Sequence, residues 1–182
     1  DPSNSGLTNW STPQFMQKGN TPMAIDSSTP PKIAYASKFR ELNVTGTLDL
    51  AMWDPIHVIF LGDYVKNLGF DKGTVSANYG SDVKRETLGY QIGVSVGYPA
   101  VRNPWEWKAL FYYKYLESDA VMDAFTDSDF NLGGTNAKGW IAGGDLGLAK
   151  NVWLSTRWFS SNEISGVPLS IDVLHLNINA RF

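Results

Sequence analysis

The last twelve residues, Ile171 to Phe182, read IDVLHLNINARF. Leu174, Leu176, Ile178, Ala180 and Phe182 share one parity, and His175, Asn177, Asn179 and Arg181 share the other. Side chains alternate faces along a strand, so this segment presents one apolar face and one polar, partly charged face. A strand packed on a soluble core shows the same pattern. What decides the fold is whether the polar face meets water outside the protein or water inside it.

The same alternation recurs upstream. From Val152 to Ser161, Val152, Leu154, Thr156 and Trp158 oppose Trp153, Ser155, Arg157 and Phe159. Lys138–Ala149, Trp105–Glu117, Arg85–Tyr98, Ile56–Lys66 and Glu41–Met52 alternate likewise. Short turns fall near Asp54, Arg102 and Asn151, and they alternate with long connections at Asn67–Lys84, Ser118–Ala137 and Asn162–Leu169. Every short turn therefore lies at one end of the sheet and every long loop at the other. Helical periodicity is absent throughout. The fold expected is all-β: an antiparallel up-and-down sheet of about seven strands.

Residues 1–40 read as a loop and an irregular N-terminal segment, rich in Ser, Thr, Asn, Pro and Gly over the first 31. A weak alternation from Lys32 to Phe39 uses odd positions, and the parity switches at Arg40. Within one continuous extended run such a switch predicts a bulge or a bend.

Composition narrows the function classes. The chain has 182 residues, no cysteine and two histidines, which removes disulfides and thiolate sites and leaves little for zinc or copper. A net charge of -3 gives no general attraction to nucleic acid. No apolar run approaches the roughly 20 residues of a membrane helix. A mean hydropathy of -0.21 does not make the chain soluble, because a barrel strand shows lipid only at every second residue.

Two features favour a membrane barrel over a soluble sandwich. The polar parity is full of Gly, Ser, Thr, Asn and Gln with charges of both signs, which suits a wet lumen. The apolar parity carries aromatics near strand ends: Tyr64, Tyr98, Trp105, Trp107, Tyr113, Tyr115, Trp140, Trp158 and Phe182. Rings at both margins of an apolar band form the interfacial girdles of outer-membrane barrels, and strands of about 10 to 14 residues are long enough to cross. Leu176 and the other apolar members of the last strand then face lipid. Short turns would be periplasmic and long loops extracellular across residues 41–182. Residues 1–40 would lie outside the cell.

The residues also resemble a known family. FMQKGNT at Phe15–Thr21, LNVTGTLDLA at Leu42–Ala51, HVIFLGDYVKNLGF at His57–Phe70, YLESDAVMDAFTDSDFNLGGTNAKGW at Tyr115–Trp140 and DVLHLNINARF at Asp172–Phe182 are together similar to the putative porin family of Gram-negative bacteria. That resemblance implies the C-terminal portion of a larger barrel of about 16 strands, with the missing N-terminal strands preceding Asp1. It implies no catalytic residue and no cofactor.

The pore-lining candidates are Glu41, Asp49, His57, Asp63, Arg85, Gln91, Glu106, Lys108, Lys114, Asp145, Arg157, His175, Asn177, Asn179 and Arg181. Such residues set the local field of a channel. Equally, acids and bases there can pair between strands and stiffen the wall. Asp123, Asp127 and Asp129, followed by Gly133 and Gly134, are a weak Ca²⁺ candidate without EF-hand spacing. The same loop carries Val121, Met122, Phe125 and Phe130, so it is expected to pack on something, either at the surface or inside a pore as a constriction. No nucleophile elbow or metal motif accompanies the histidines, and no enzyme is expected.

The reading is an outer-membrane porin passing small hydrophilic solutes or ions; the alternative is a non-conducting structural or adhesion barrel. Expected partners are outer-membrane lipid and lipopolysaccharide, the barrel insertion machinery through the terminal Phe182, and further strands of the same protein. A homo-oligomer is compatible with the sequence, and a nucleic-acid partner is not.

Overall fold

In the computed structural model, which describes residues 16–27 and 29–182, the alternating runs form one seven-stranded antiparallel sheet. A short hairpin of β1 (Pro22–Ala24) and β2 (Ile33–Tyr35) stands apart from it. The sheet runs in chain order: β3 (Glu41–Trp53), β4 (Ile56–Asn67), β5 (Leu88–Gly97), β6 (Trp107–Leu116), β7 (Ala137–Ala149), β8 (Val152–Glu163) and β9 (Ser170–Ala180). The expected up-and-down topology is present. The sheet is not closed: β3 and β9 each pair on one side only among the described residues.

Three details differ from the expectations. The parity switch at Arg40 is not a bulge in a continuous strand. β2 pairs with β1, so the chain leaves one sheet after Tyr35 and enters another at Glu41. Secondly, the connection before β5 contains a helix, α1 (Lys72–Tyr79). Asp71 caps it by accepting the Thr74 amide at 2.8 Å, and Gly80 ends it at φ 87° with its N–H donated to Ser76. Only Val75 is buried, so no 3.6-residue apolar stripe marked it. Thirdly, β5 and β6 start at Leu88 and Trp107, leaving Arg85, Trp105 and Glu106 in connections.

The long connections and residues 16–40 build a cap at one end of the sheet. Its apolar centre is Met23, Ala36, Phe70 and Val75, with Ile25, Ala34 and Val83 against it. Asn67, at the end of β4, stitches the pieces: its amide donates to the carbonyls of Lys38 (3.0 Å) and Asp119 (2.9 Å) and its oxygen accepts the amides of Arg40 and Gly69. At the opposite end the turns are short. The turn before β6 docks on β7, where Glu106 O accepts the Gly147 amide at 2.8 Å and Trp105 donates to Gly147 O. A Cβ on Gly147 would lie 1.9 Å from the Asn103 carbonyl oxygen. Gly147→Val is therefore expected to cost about 1–3 kcal/mol by overpacking. Denaturant titration of the folded protein in detergent checks this, and an unchanged midpoint contradicts the docking.

Candidate functional site

Strand register sorts the side chains into two faces. One row runs Phe60, Val94, Phe111, Ala142, Trp158, Leu174, and the next Val58, Val96, Ala109, Gly144, Thr156, Leu176. Nearer the cap, Tyr64, Tyr90 and Tyr115 align, with Tyr90 stacked on Tyr115 at 5.3 Å and Trp140 edge-on to Trp158 at 5.0 Å. Tyr113 sits beside Trp140 in the ladder, and Trp107 marks the short-turn end of the same face. Tyr98, Trp105 and Phe182 fall just beyond strand ends at the short-turn side.

This face is bare. Phe60, Ile92, Phe111, Leu174, Leu176 and Ile178 are all exposed, Leu176 at 65% and Ile178 at 75%. So continuous an exposed apolar surface is rare on a water-soluble monomer and marks a face that meets an apolar phase or partner.

The other face is more polar and partly covered: on β3 its Asn43, Thr45, Thr47 and Asp49 are exposed. The connection from Glu117 to Asn136 does not stand out in solvent; it folds back over this face through two 3-10 turns, Asp123–Phe125 and Phe130–Leu132. Phe130 is 2% exposed and packs with Ala137, Ile141 and Phe159, flanked by Leu110, Tyr112 and Val173. Tyr112 is four residues from the end of β6, so the loop reaches roughly 13 Å down the wall. An antiparallel up-and-down sheet with one bare apolar face and one polar face partly covered by a loop has the pattern of part of a membrane-barrel wall. A family model described as putative porin matches residues 1–182, the full length given. The chain belongs to the putative porin family. No curated protein and no solved structure matches it.

On the polar face of the sheet the ladder places Asp49, His57, Asp63, Gln91, Lys108, Lys114, Asp145, Arg157, His175, Asn177 and Asn179. Glu41 shares that parity at the cap end and accepts the Met122 amide at 3.3 Å. Some of these charges are paired within the wall. Arg157 Nη2 lies 3.0 Å from Asp145 Oδ1, and His57 Nδ1 lies 2.8 Å from Asp49, with Asp54 3.6 Å from the other ring nitrogen. Asp63 accepts from Asn43 and Thr45. Others meet the inserted loop: Lys114 Nζ sits over the Phe130 ring at 5.0 Å, and His175 lies 3.6 Å from Asp129. Arg85, Glu106 and Arg181 lie outside the strands. Arg85 donates to Phe70 O within the cap, and Glu106 closes the turn at Arg102 and Asn103.

The three aspartates of the Ca²⁺ candidate are not brought together. Asp123 is turned to the N-terminal segment, accepting from the Gln17 amide and the Tyr35 hydroxyl; Asp127 accepts the Asp129 amide, and Asp129 faces His175. No group of three or more His, Asp or Glu side chains suited to a metal is assembled among the described residues.

Residues that the alternation did not single out hold the loop in place. Asn20 donates to Ser118 O and Val121 O and accepts the Asp123 amide. Thr135 donates to Ser118 O, and Ser161 on β8 donates to Asn131. The legible sign was apolar side chains on the polar parity. Leu110, Tyr112, Ile141 and Phe159 would be misplaced in a lumen unless something covered them.

Asp119, 1% exposed, accepts both the amide and the hydroxyl of Thr21. Burial pushes its carboxyl up from the usual 3.8, outweighing those hydrogen bonds. A carboxyl raised in the folded state adds stability that is present below 3.8 and lost as pH rises through the native value. Wild-type cap amides are expected to lose hydrogen-exchange protection over that window, and Asp119→Asn to flatten the profile. The same pH profile in both proteins would contradict the assignment.

Proposed function

We propose that the inner face of the sheet and the loop folded onto it form the wall and constriction of an outer-membrane channel for passive diffusion of small hydrophilic solutes or ions. The observation that carries this reading is the seating of Phe130 on Ile141 and Phe159, four residues in from the cap end of β7 and β8 on the polar face. A loop held there narrows a lumen without sealing it, and its margin carries Lys114, Asp127, Asp129 and His175 in addition to the wall charges. The bare edges of β3 and β9 call for further strands, of this protein or its neighbours, to close the wall. The short turns then face the periplasm, and the cap faces outside.

Planar-bilayer recording of the purified protein tests the proposal. Discrete conductance steps that grow when residues 123–133 are shortened are the expected result. A well-inserted but silent protein would favour the non-conducting structural or adhesion barrel.

A further inference from the structure

At the short-turn end of the inner face a second feature stands apart from the constriction. A cavity of about 230 Å³ is lined by the turn before β6, the turn before β8 and the chain beyond β9, with Lys108, Trp153 and Asp145 as its strand-borne side chains. Three cations reach it, Arg102, Lys108 and Arg181, against the single carboxylate of Asp145. In a chain of net charge -3 that is a local reversal of sign.

The nearby acids are already engaged. Lys108 is the ladder partner of Asp145, yet Asp145 is drawn to the Arg157 guanidinium at 3.0 Å, and that guanidinium also donates to Gly144 O at 3.0 Å and Thr156 O at 2.7 Å. Glu106 is consumed by its own turn, accepting from the Asn103 side chain and from the amides of Arg102 and Asn103. Those bonds, with Arg102 close by, hold its carboxyl below the usual range. Lys108 and Arg181 make no ion pair among the described residues, and Arg102 meets the charge of Glu106 without a direct salt bridge.

The rim is fixed by main-chain bonds. Asn151 N donates to Arg102 O at 2.6 Å and Arg181 N donates to Asn151 O at 3.0 Å, so the three segments bearing the basin are tied to one another. Little ordering remains to be done when a ligand arrives. The Trp153 ring adds an apolar wall beside the charges. Cationic donors around an apolar surface match a small organic acid, whose carboxylates take charge-assisted bonds while its carbon chain lies on the indole.

We infer that this basin is a binding site for small organic-acid carboxylates at the short-turn mouth of the channel, with Lys108 and Arg181 as the anion-holding groups and Trp153 as the contact for the carbon chain. The inference deepens the channel reading and rests on it for the identity of the solute. Lys108 and Trp153 belong to the inner ladder, which points to a solute in the lumen and not to a lipid headgroup outside.

The test is a titration of the full folded chain in detergent with succinate, read by tryptophan fluorescence. A saturable response is expected, lost in Trp153→Phe, with the midpoint raised roughly tenfold in Lys108→Gln and in Arg181→Gln. Succinamide, the neutral analogue, should give no response. Heat-dependent electrophoretic migration verifies that each variant is folded. An equal response to succinamide, unchanged midpoints in both Gln variants, or no response to succinate would overturn the inference. Bilayer recording separates the two readings. Succinate binding without conductance supports the basin and defeats the channel, whereas conductance with no succinate response leaves the channel standing and removes the basin.

Discussion

Leu176→Arg is expected to destabilise the folded protein by about 2–4 kcal/mol, the cost of a cationic side chain near mid-membrane on the bare apolar face that we propose meets lipid. Leu176 ends a row that runs Val58, Val96, Ala109, Gly144, Thr156 and then Leu176, in which no residue carries a charge. Nothing within that row can pair with a guanidinium. The neighbouring Asn177 lies on the opposite face, beside Ser155 in the ladder, where water would solvate an added charge. Asn177→Arg is thus expected to fold and insert close to normally. Denaturant-dependent refolding into lipid vesicles measures both. Equal losses at the two positions would refute the assignment of faces, and the Val94→Arg variant provides a second position on the same apolar side.

The strand face on which Leu176 sits was legible because period-2 alternation acts locally: each residue of IDVLHLNINARF declares its face without knowledge of its neighbours. The pairing of β3 with β4, β5 with β6 and β7 with β8 was legible as well, since short turns leave no room for anything but antiparallel neighbours. What alternation cannot encode is where a long loop goes. Phe130 and Asn131 find their partners on Ile141, Phe159 and Ser161, contacts whose spacing follows no period. The same holds for Asp123, whose spacing with Asp127 and Asp129 suggested a shared cation but whose carboxylate is taken by Gln17 and Tyr35, about a hundred residues upstream. α1 escaped notice because eight residues with one buried side chain, held by Asp71 and Gly80, leave no amphipathic signature. Among the charged residues, parity indicated the face but not the pairing. Arg157 could have met any acid on that side, and its choice of Asp145 is a matter of rotamer and reach.

Phe130→Ala is expected to release the inserted loop and raise single-channel conductance. Truncating a buried phenylalanine costs about 3–5 kcal/mol in a closed core. Here the ring, 2% exposed, is the one fully buried large apolar side chain that the loop contributes to the cluster on β7 and β8. The remaining anchors are polar: Asn131 with Ser161, and Asp129 at 3.6 Å from His175. The buried Asn131–Ser161 hydrogen bond is worth about 0.5–1.5 kcal/mol and the half-exposed contact at most about 1 kcal/mol, together too little to hold the loop against the entropy it regains on release. The loop would stay tied at its cap end, where Asn20 and Thr21 grip Ser118, Asp119 and Val121. The expected change is therefore an opened and noisier pore in a barrel that still folds. Loss of the ring also uncovers Lys114, whose ammonium sits 5.0 Å from its centroid, so the widened pore should admit anions more readily than the wild type does. Bilayer recording under a salt gradient reads both quantities from one experiment. A Phe130→Ala protein with wild-type conductance and an unmoved reversal potential would mean that the loop, although packed on the wall, does not set the width of the passage.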